Sequence, residues 1–207
     1  MATTGKPGKR DTGTRDKLLD ATVAIMLEQG YAAATSRRVA ERVGVQRAVV
    51  YYYFPTMDDL YLAVLRRGAQ HSLDAQRAAL ASGEPLHALW DMTVNPIGSR
   101  LTMELMALGN HRPEIRAELA ASAERFREAQ VAALTHMLRH RAGDGGALPP
   151  EVVSVLIASI GRLIAIEAGL GITTGHDRTL EIVGDYLDRF ESAPAQTTPD
   201  ASWERTV

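Results

Sequence analysis

At 207 residues, with 45% hydrophobic but only 5% aromatic side chains, the chain can build one medium domain, or one small and one larger domain. It contains no cysteine, which excludes a disulfide framework and any Cys-based zinc site and fits a reducing cytoplasm. The net charge of -2 hides an asymmetry: residues 1–54 hold nine Lys or Arg against five acids, so a basic end, the one part suited to a polyanion, joins an acidic body.

Ala and Leu outweigh β-branched residues and no strand-like alternation is visible, so the expected fold class is all-α. The longest apolar run, Val152 to Ile166, is interrupted by Ser154, Ser159, Gly161 and Arg162; on this reading no stretch supplies the roughly 20 clean residues of a membrane span. The basic N-terminus lacks the apolar segment of a secretory signal. A cytoplasmic protein without a membrane partner is expected.

Met1 to Gly13, rich in Gly, Thr, Lys and Pro, is expected to be a flexible basic arm. From Thr14 the register Leu18, Leu19, Thr22, Ile25, Met26 predicts a helix with one buried face, ended by Gly30. Thr35 or Ser36 can cap a second helix through Val43, and Gly44 permits a sharp reversal into a third helix from about Gln46 to Tyr53, stopped at Pro55.

Two short helices across a tight Gly turn, supported by a preceding helix, form the helix-turn-helix layout. Arg47 falls in the first turn of the third helix, where a side chain can reach base edges, and the small Ala48 lets the backbone approach. Tyr51, Tyr52 and Tyr53 lie about 100° apart around that helix, so at least one must face outward, where a phenol can donate to phosphate.

The run Thr35-Ser36-Arg37-Arg38-Val39-Ala40-Glu41-Arg42-Val43-Gly44-Val45, then Tyr51-Tyr52-Tyr53-Phe54 and Asp58-Asp59-Leu60, resembles the DNA-binding domain of the TetR family of transcriptional regulators. The Gly30-Tyr31 pair fits as well, and the motif resemblance covers roughly residues 14–65. It implies that Ser36 and Arg37 touch phosphate and base, that Arg47 reads bases, that Val49 and Tyr51 lie against the backbone, and that Tyr52 and Tyr53 flank the groove. Arg38 and Gln46 complete the expected DNA-binding set. The family usually has Lys where this chain has Met57, so one phosphate contact is missing, for which Arg38 or the arm could compensate.

Beyond the head, Thr56 with Asp59 resembles a capping box opening a fourth helix to about Ala81. Further helices are expected at Leu86 to Val94, Ser99 to Leu108, Pro113 to Arg141, Pro150 to Gly171 and Asp177 to Phe190, about nine in all. His136 and His140, four apart, lack a third ligand and read as cations favouring a helix C-terminus, so no metal or cofactor is expected. The resemblance places a ligand chamber among helices four to eight, with Trp90, Met103, Met106, His111, Phe126, Ile160 and Ile164 as candidate lining. Arg162 and Glu167 interrupt the most apolar helix and need partners.

The small-residue stripe Ser154, Ala158, Gly161, Ala165, Ala168 lets another helix come close, and with Leu180, Val183 and Leu187 it resembles the family's four-helix dimer interface. Expected organisation is therefore an arm at 1–13, a helix-turn-helix domain at 14–56, a helical ligand-binding and dimerisation domain at 57–191, and a disordered tail at 192–207 in which Trp203 has no evident role. The expected function is a homodimeric repressor that binds a double-stranded DNA operator and is released by a small apolar or amphipathic effector. An architectural DNA binder is the alternative; for an enzyme, no nucleophile elbow, P-loop, HExxH or Rossmann glycines occur.

Overall fold

A computed structural model of the protein describes residues 9–138 and 148–191. Among them the chain forms α1 (Lys9–Gln29), a 3-10 turn (Tyr31–Ala33), α2 (Ser36–Val43), α3 (Arg47–Tyr53), α4 (Met57–Leu80), α5 (Pro85–Thr93), α6 (Pro96–Gly109), α7 (Pro113–Leu138), α8 (Pro150–Gly169) and α9 (His176–Glu191), with no strand. The all-α expectation holds. Met1 to Gly8, His140 and the tail from 192 lie outside the described residues.

Local chemistry accounts for most helix ends. Thr35 accepts from the Arg38 N–H, and Gly44 adopts a left-handed φ of 75° that turns the chain between α2 and α3. Thr56 and Asp59 form the capping box in both directions, with Asp59 N–H to Thr56 Oγ1 at 3.1 Å and Thr56 N–H to Asp59 Oδ2 at 2.9 Å. Two starts differ from expectation. α1 begins at Lys9 rather than Thr14, because an amphipathic helix once nucleated extends through polar residues that carry no periodic signal. α6 begins at Pro96 rather than Ser99: Asn95 caps it by accepting from the N–H groups of Ile97 and Gly98, and Pro96 occupies the first turn, where it has no N–H to lose.

Two apolar clusters organise the molecule. The first gathers Leu18, Leu19, Ile25, Met26, Val39, Val50 and Phe54 from the first three helices with Leu60, Tyr61, Val64 and Leu65 of α4, and it also takes Leu105, Leu108 and Ile115 from α6 and α7. The second joins Leu86 and Trp90 of α5 to Leu134, Ile157 and Leu187. Between them α4 packs on α5 and α7, and α6 on α7 and α8. An Arg66–Glu118 ion pair of 2.8 Å ties α4 to α7, and the hydrogen bond from Arg66 holds the Glu118 carboxyl below the usual glutamate range.

α8 corrects two expectations. With 20 residues and a mean hydropathy of 1.8 over 18 of them, it is long and apolar enough to cross a membrane by length and composition; its Ser and Gly interruptions are too small to lower the average, and its charges, Glu151, Arg162 and Glu167, are few. The small-residue stripe expected to meet a second subunit instead faces inward. Ser154, Gly161 and Ala165 are buried, as is Leu187 of α9, and a Cβ on Gly161 would lie 2.3 Å from Thr93 Oγ1 and 2.8 Å from its Cβ. These residues let α5 and α7 approach within one chain. Outward, α8 presents Val152, Val155, Leu156 and Leu163 at helical spacing, with Ile182 and Tyr186 of α9 also exposed. Ala168 is exposed; Ala158, Leu180 and Val183 are half-buried.

Candidate functional site

The seven residues of α3 contribute one buried side chain, Val50, to the head core, and the turn after it buries Phe54. The helix thus leans on Val50 and presents its other faces to solvent. Tyr52 is 74% exposed and packs edge-to-face on half-buried Tyr53, with ring centres 5.1 Å apart. Gln46, Arg47 and Ala48 are exposed at its start and Val49 is half-buried.

Arg47 is held rather than free. Its Nε donates to Ser36 Oγ at 2.8 Å, an Nη donates to the Tyr51 hydroxyl at 2.9 Å, and the guanidinium lies 5.3 Å from the centre of the Tyr51 ring. Ser36 and Tyr51 close the triangle at 3.1 Å. The hydrogen bond from Ser36, then that from Arg47, brings the Tyr51 phenol below its ordinary range. Ser36 is buried with its hydroxyl engaged, so its place is beneath Arg47, not out at a ligand. Arg37 is exposed and pairs with Glu41 at 3.5 Å, and exposed Arg38 donates to Gln29 at 2.6 Å. Such surface pairs exchange readily for phosphate.

Met57 is drawn against the head core, while Asp58 pairs with Arg112, whose guanidinium lies 5.5 Å from the Tyr61 ring centre. One cation went unnoticed in the sequence as a site residue: Arg15, exposed on α1, stacks over Phe54 at 5.3 Å beside the end of α3. Its signal was the basic end of the first helix. The face so assembled, with exposed arginines, three tyrosines and no exposed acid within α3, can meet phosphate oxygens and base edges together.

A cavity of about 300 Å³ opens between α4, α5, α6, α7 and α8. Leu65, Met92, Leu119 and Phe126 give it apolar wall, Ser72, Thr93, Ser99 and Thr102 give hydroxyls, and Arg127, Gln130 and Arg162 give nitrogen donors. Of the seven expected lining residues only Phe126 is in place. Trp90 is buried in the C-terminal cluster, against which Ile160 packs; Ile164 is half-buried elsewhere. Met103, Met106 and His111 are exposed. The reason is the period of α6: Leu105 and Leu108 take the head-facing stripe and Gly98, Ser99 and Thr102 the cavity, so the two methionines are left outside. Glu167, expected to need a partner, has His176 at 2.7 Å.

The cavity and the head share two helices. α4 buries Leu60, Tyr61 and Val64 in the head and lines the cavity with Leu65, Ala69 and Ser72. α6 lines it with Ser99 and Thr102 and grips the head with two charged side chains: Glu104 accepts from the Tyr31 N–H at 2.6 Å, and Arg100 donates to the Leu27 carbonyl at 2.6 Å. Glu104 and Arg100, the two charges of an otherwise largely apolar helix, carried that signal in the sequence.

Residues 18–64 match the family described as bacterial regulatory proteins, tetR family. Among curated proteins, the chain is 43% identical over 77 residues to the HTH-type transcriptional repressor KstR of Mycolicibacterium smegmatis, covering 36% of this chain and 37% of that one. It is 38% identical over 66 residues to the transcriptional activator FasR of the same organism, covering 32% and 30%. The matched stretch thus spans only about a third of the length of these relatives. Among solved structures, a transcriptional regulator from Saccharomonospora viridis in complex with choline superposes with a TM-score of 0.72 at 17% identity, covering 86% of this chain and 96% of that one. A TetR transcription regulator from Haloarcula marismortui does so with 0.70 at 22% identity, over 86% and 98%. At these identities the structural likeness establishes the fold.

Proposed function

We propose, from the premise that the chain belongs by its residues 18–64 to the tetR family of bacterial regulatory proteins, that it is a sequence-specific DNA-binding regulator of transcription. The observation that carries the proposal is the set Ser36, Arg47 and Tyr51: a guanidinium fixed at the exposed start of α3 by two hydroxyls and a ring. A pre-positioned fork loses little rotamer freedom when it meets a guanine edge. Around it, Arg37, Arg38, Gln46, Val49, Tyr52 and Tyr53 would fix register on the phosphates, and Arg15 would take over the contact that Met57 cannot make.

The working unit is a homodimer acting as a repressor. The outward apolar faces of α8 and α9, rather than the inward stripe, are the surface for it, since a helix pair from each subunit buries such faces as a four-helix bundle. The dimer sets the separation of its two α3 helices, and roughly 34 to 36 Å places them in successive major grooves. The cavity is the effector site. A molecule that pushes α4 or α6 apart from α7 would move the head through Glu104, Arg100 and Tyr61, and would favour a spacing that no longer fits DNA. Choline, held by the Saccharomonospora viridis regulator, does not transfer to this cavity: quaternary ammoniums are recognised by several aromatic faces, and here there is one ring and two guanidiniums.

Selection of bound fragments from genomic DNA by the purified protein tests the proposal. A palindromic site with half-sites one helical turn apart is expected; recovery of fragments without a shared sequence would leave only non-specific binding.

A further inference from the structure

The cavity is unbalanced in charge. Two of the residues that line it are arginines, Arg127 on α7 and Arg162 on α8, and none is an acid. Among the described residues neither arginine makes an ion pair or a hydrogen bond. Most other arginines of the helical body are engaged: Arg66, Arg67, Arg77, Arg112, Arg125 and Arg178 have carboxylate partners and Arg100 a carbonyl, and Arg116, the other described arginine side chain without a partner, is exposed and lies outside the cavity. Helical spacing does not explain the difference away, because Glu124 lies one turn before Arg127 and still does not pair with it. Gln130, one turn further along α7, is buried and its Oε1 accepts from Ser154 at 2.5 Å, so the end of that amide left for a guest is its donor. Of the remaining wall, Leu65, Met92 and Phe126 form the apolar part, and the hydroxyls of Ser72, Thr93, Ser99 and Thr102 lie among them.

Arg162 is exposed and Arg127 half-buried, so water solvates both guanidiniums in part and leaves each open to an anionic partner, for which arginine's planar fork suits a carboxylate best. At about 300 Å³ the volume sits at the lower end of ligand pockets, which run roughly 300 to 1,000 Å³. We propose that the cavity takes a small amphipathic organic anion, typified by a carboxylate, with its head at Arg127 and Arg162 and its tail against Leu65, Met92 and Phe126. This rests on reading the cavity as the effector site. It makes the ligand part of the fold's electrostatics: the guest supplies the negative charge that the cavity wall lacks, and so draws α7 and α8 together at one wall while its tail bears on α4 and α5 at the other.

Calorimetric titration of the full chain with octanoate and with 4-phenylbutyrate, each beside its primary amide of nearly equal size, tests this. Binding of the carboxylate at least about tenfold tighter than the amide is expected. The R127Q/R162Q double variant should lose that preference while still binding the amide; Arg162 is exposed, so R162Q alone serves if the double variant fails to give a native circular dichroism spectrum. A third variant, A69F, fills the cavity from α4 and should abolish both. Equal affinity for carboxylate and amide, both lost in A69F, would overturn the anion assignment and leave the cavity as effector site. A carboxylate preference that survives A69F would place the site elsewhere and overturn both. Absence of binding by either pair at millimolar concentration would overturn the anion assignment as well.

Discussion

Arg47 is worth more than its single charge because its partners fix its direction. Arg47→Ala should weaken operator binding by about 1–3 kcal/mol and relax specificity at one base pair, measured by anisotropy titration over a set of single-base operator variants. Equal loss on every variant would make it a phosphate contact. Ser36→Ala should cost less, about 0.5–1.5 kcal/mol, and only through Arg47. In an Arg47→Ala background it should therefore cost nothing further, a non-additivity that separates a support from a residue touching DNA itself. The exposed position of Arg47 at the start of α3 and the need for at least one outward tyrosine were legible in the sequence, because a 3.6-residue period spreads neighbours around the helix; that the outward one is Tyr52 was not. Ser36 was legible as a functional position but not in its role, since nothing in a linear pattern says that a hydroxyl eleven residues away will lie beneath a guanidinium.

Helix identity follows from periodicity and caps, and helix environment does not. The stripe Ser154, Gly161, Ala165 announced a close approach correctly; whether the approaching helix belonged to this chain or to a second one depended on where α5 is carried by the loops before it. The approach is tight enough to predict a sign. Alanine in place of glycine within a helix ordinarily stabilises by up to about 1 kcal/mol. At Gly161 the added methyl would meet Thr93 Oγ1 at 2.3 Å and its backbone carbon at 3.1 Å, so overpacking of about 1–3 kcal/mol should win. Gly161→Ala should lower the thermal unfolding midpoint, and a rise would mean that α5 yields easily. The Asn95-Pro96 dipeptide shows the same limit on a smaller scale: it reads as the stop of one helix, and only the positions of the next N–H groups make Asn95 the cap of another.

For the whole molecule, the described chain leaves apolar residues outward on α8 and α9 while burying the small ones. If that outer face joins two copies, a Leu163→Glu/Ile182→Glu variant should sediment as a monomer with an unchanged circular dichroism spectrum, because both side chains point away from the chain's own core. An unchanged dimer would direct attention to another face. The cavity was the least legible part of the sequence: its lining comes from five helices, and of the seven residues expected around a ligand chamber only Phe126 lies on it, whereas Arg162, conspicuous as a charge in the most apolar helix, lines it too. Charge in an apolar helix is a rarer event than a methionine, and so a better guide. The packing of Trp90 gives all of this an optical handle. Its indole is buried among Leu86, Leu134, Ile157 and Leu187, and its carbonyl accepts from the hydroxyl of Thr93, which lines the cavity one turn away. With Trp203→Phe leaving one indole in the chain, the emission colour of Trp90 becomes a record of how α5 responds when the cavity fills.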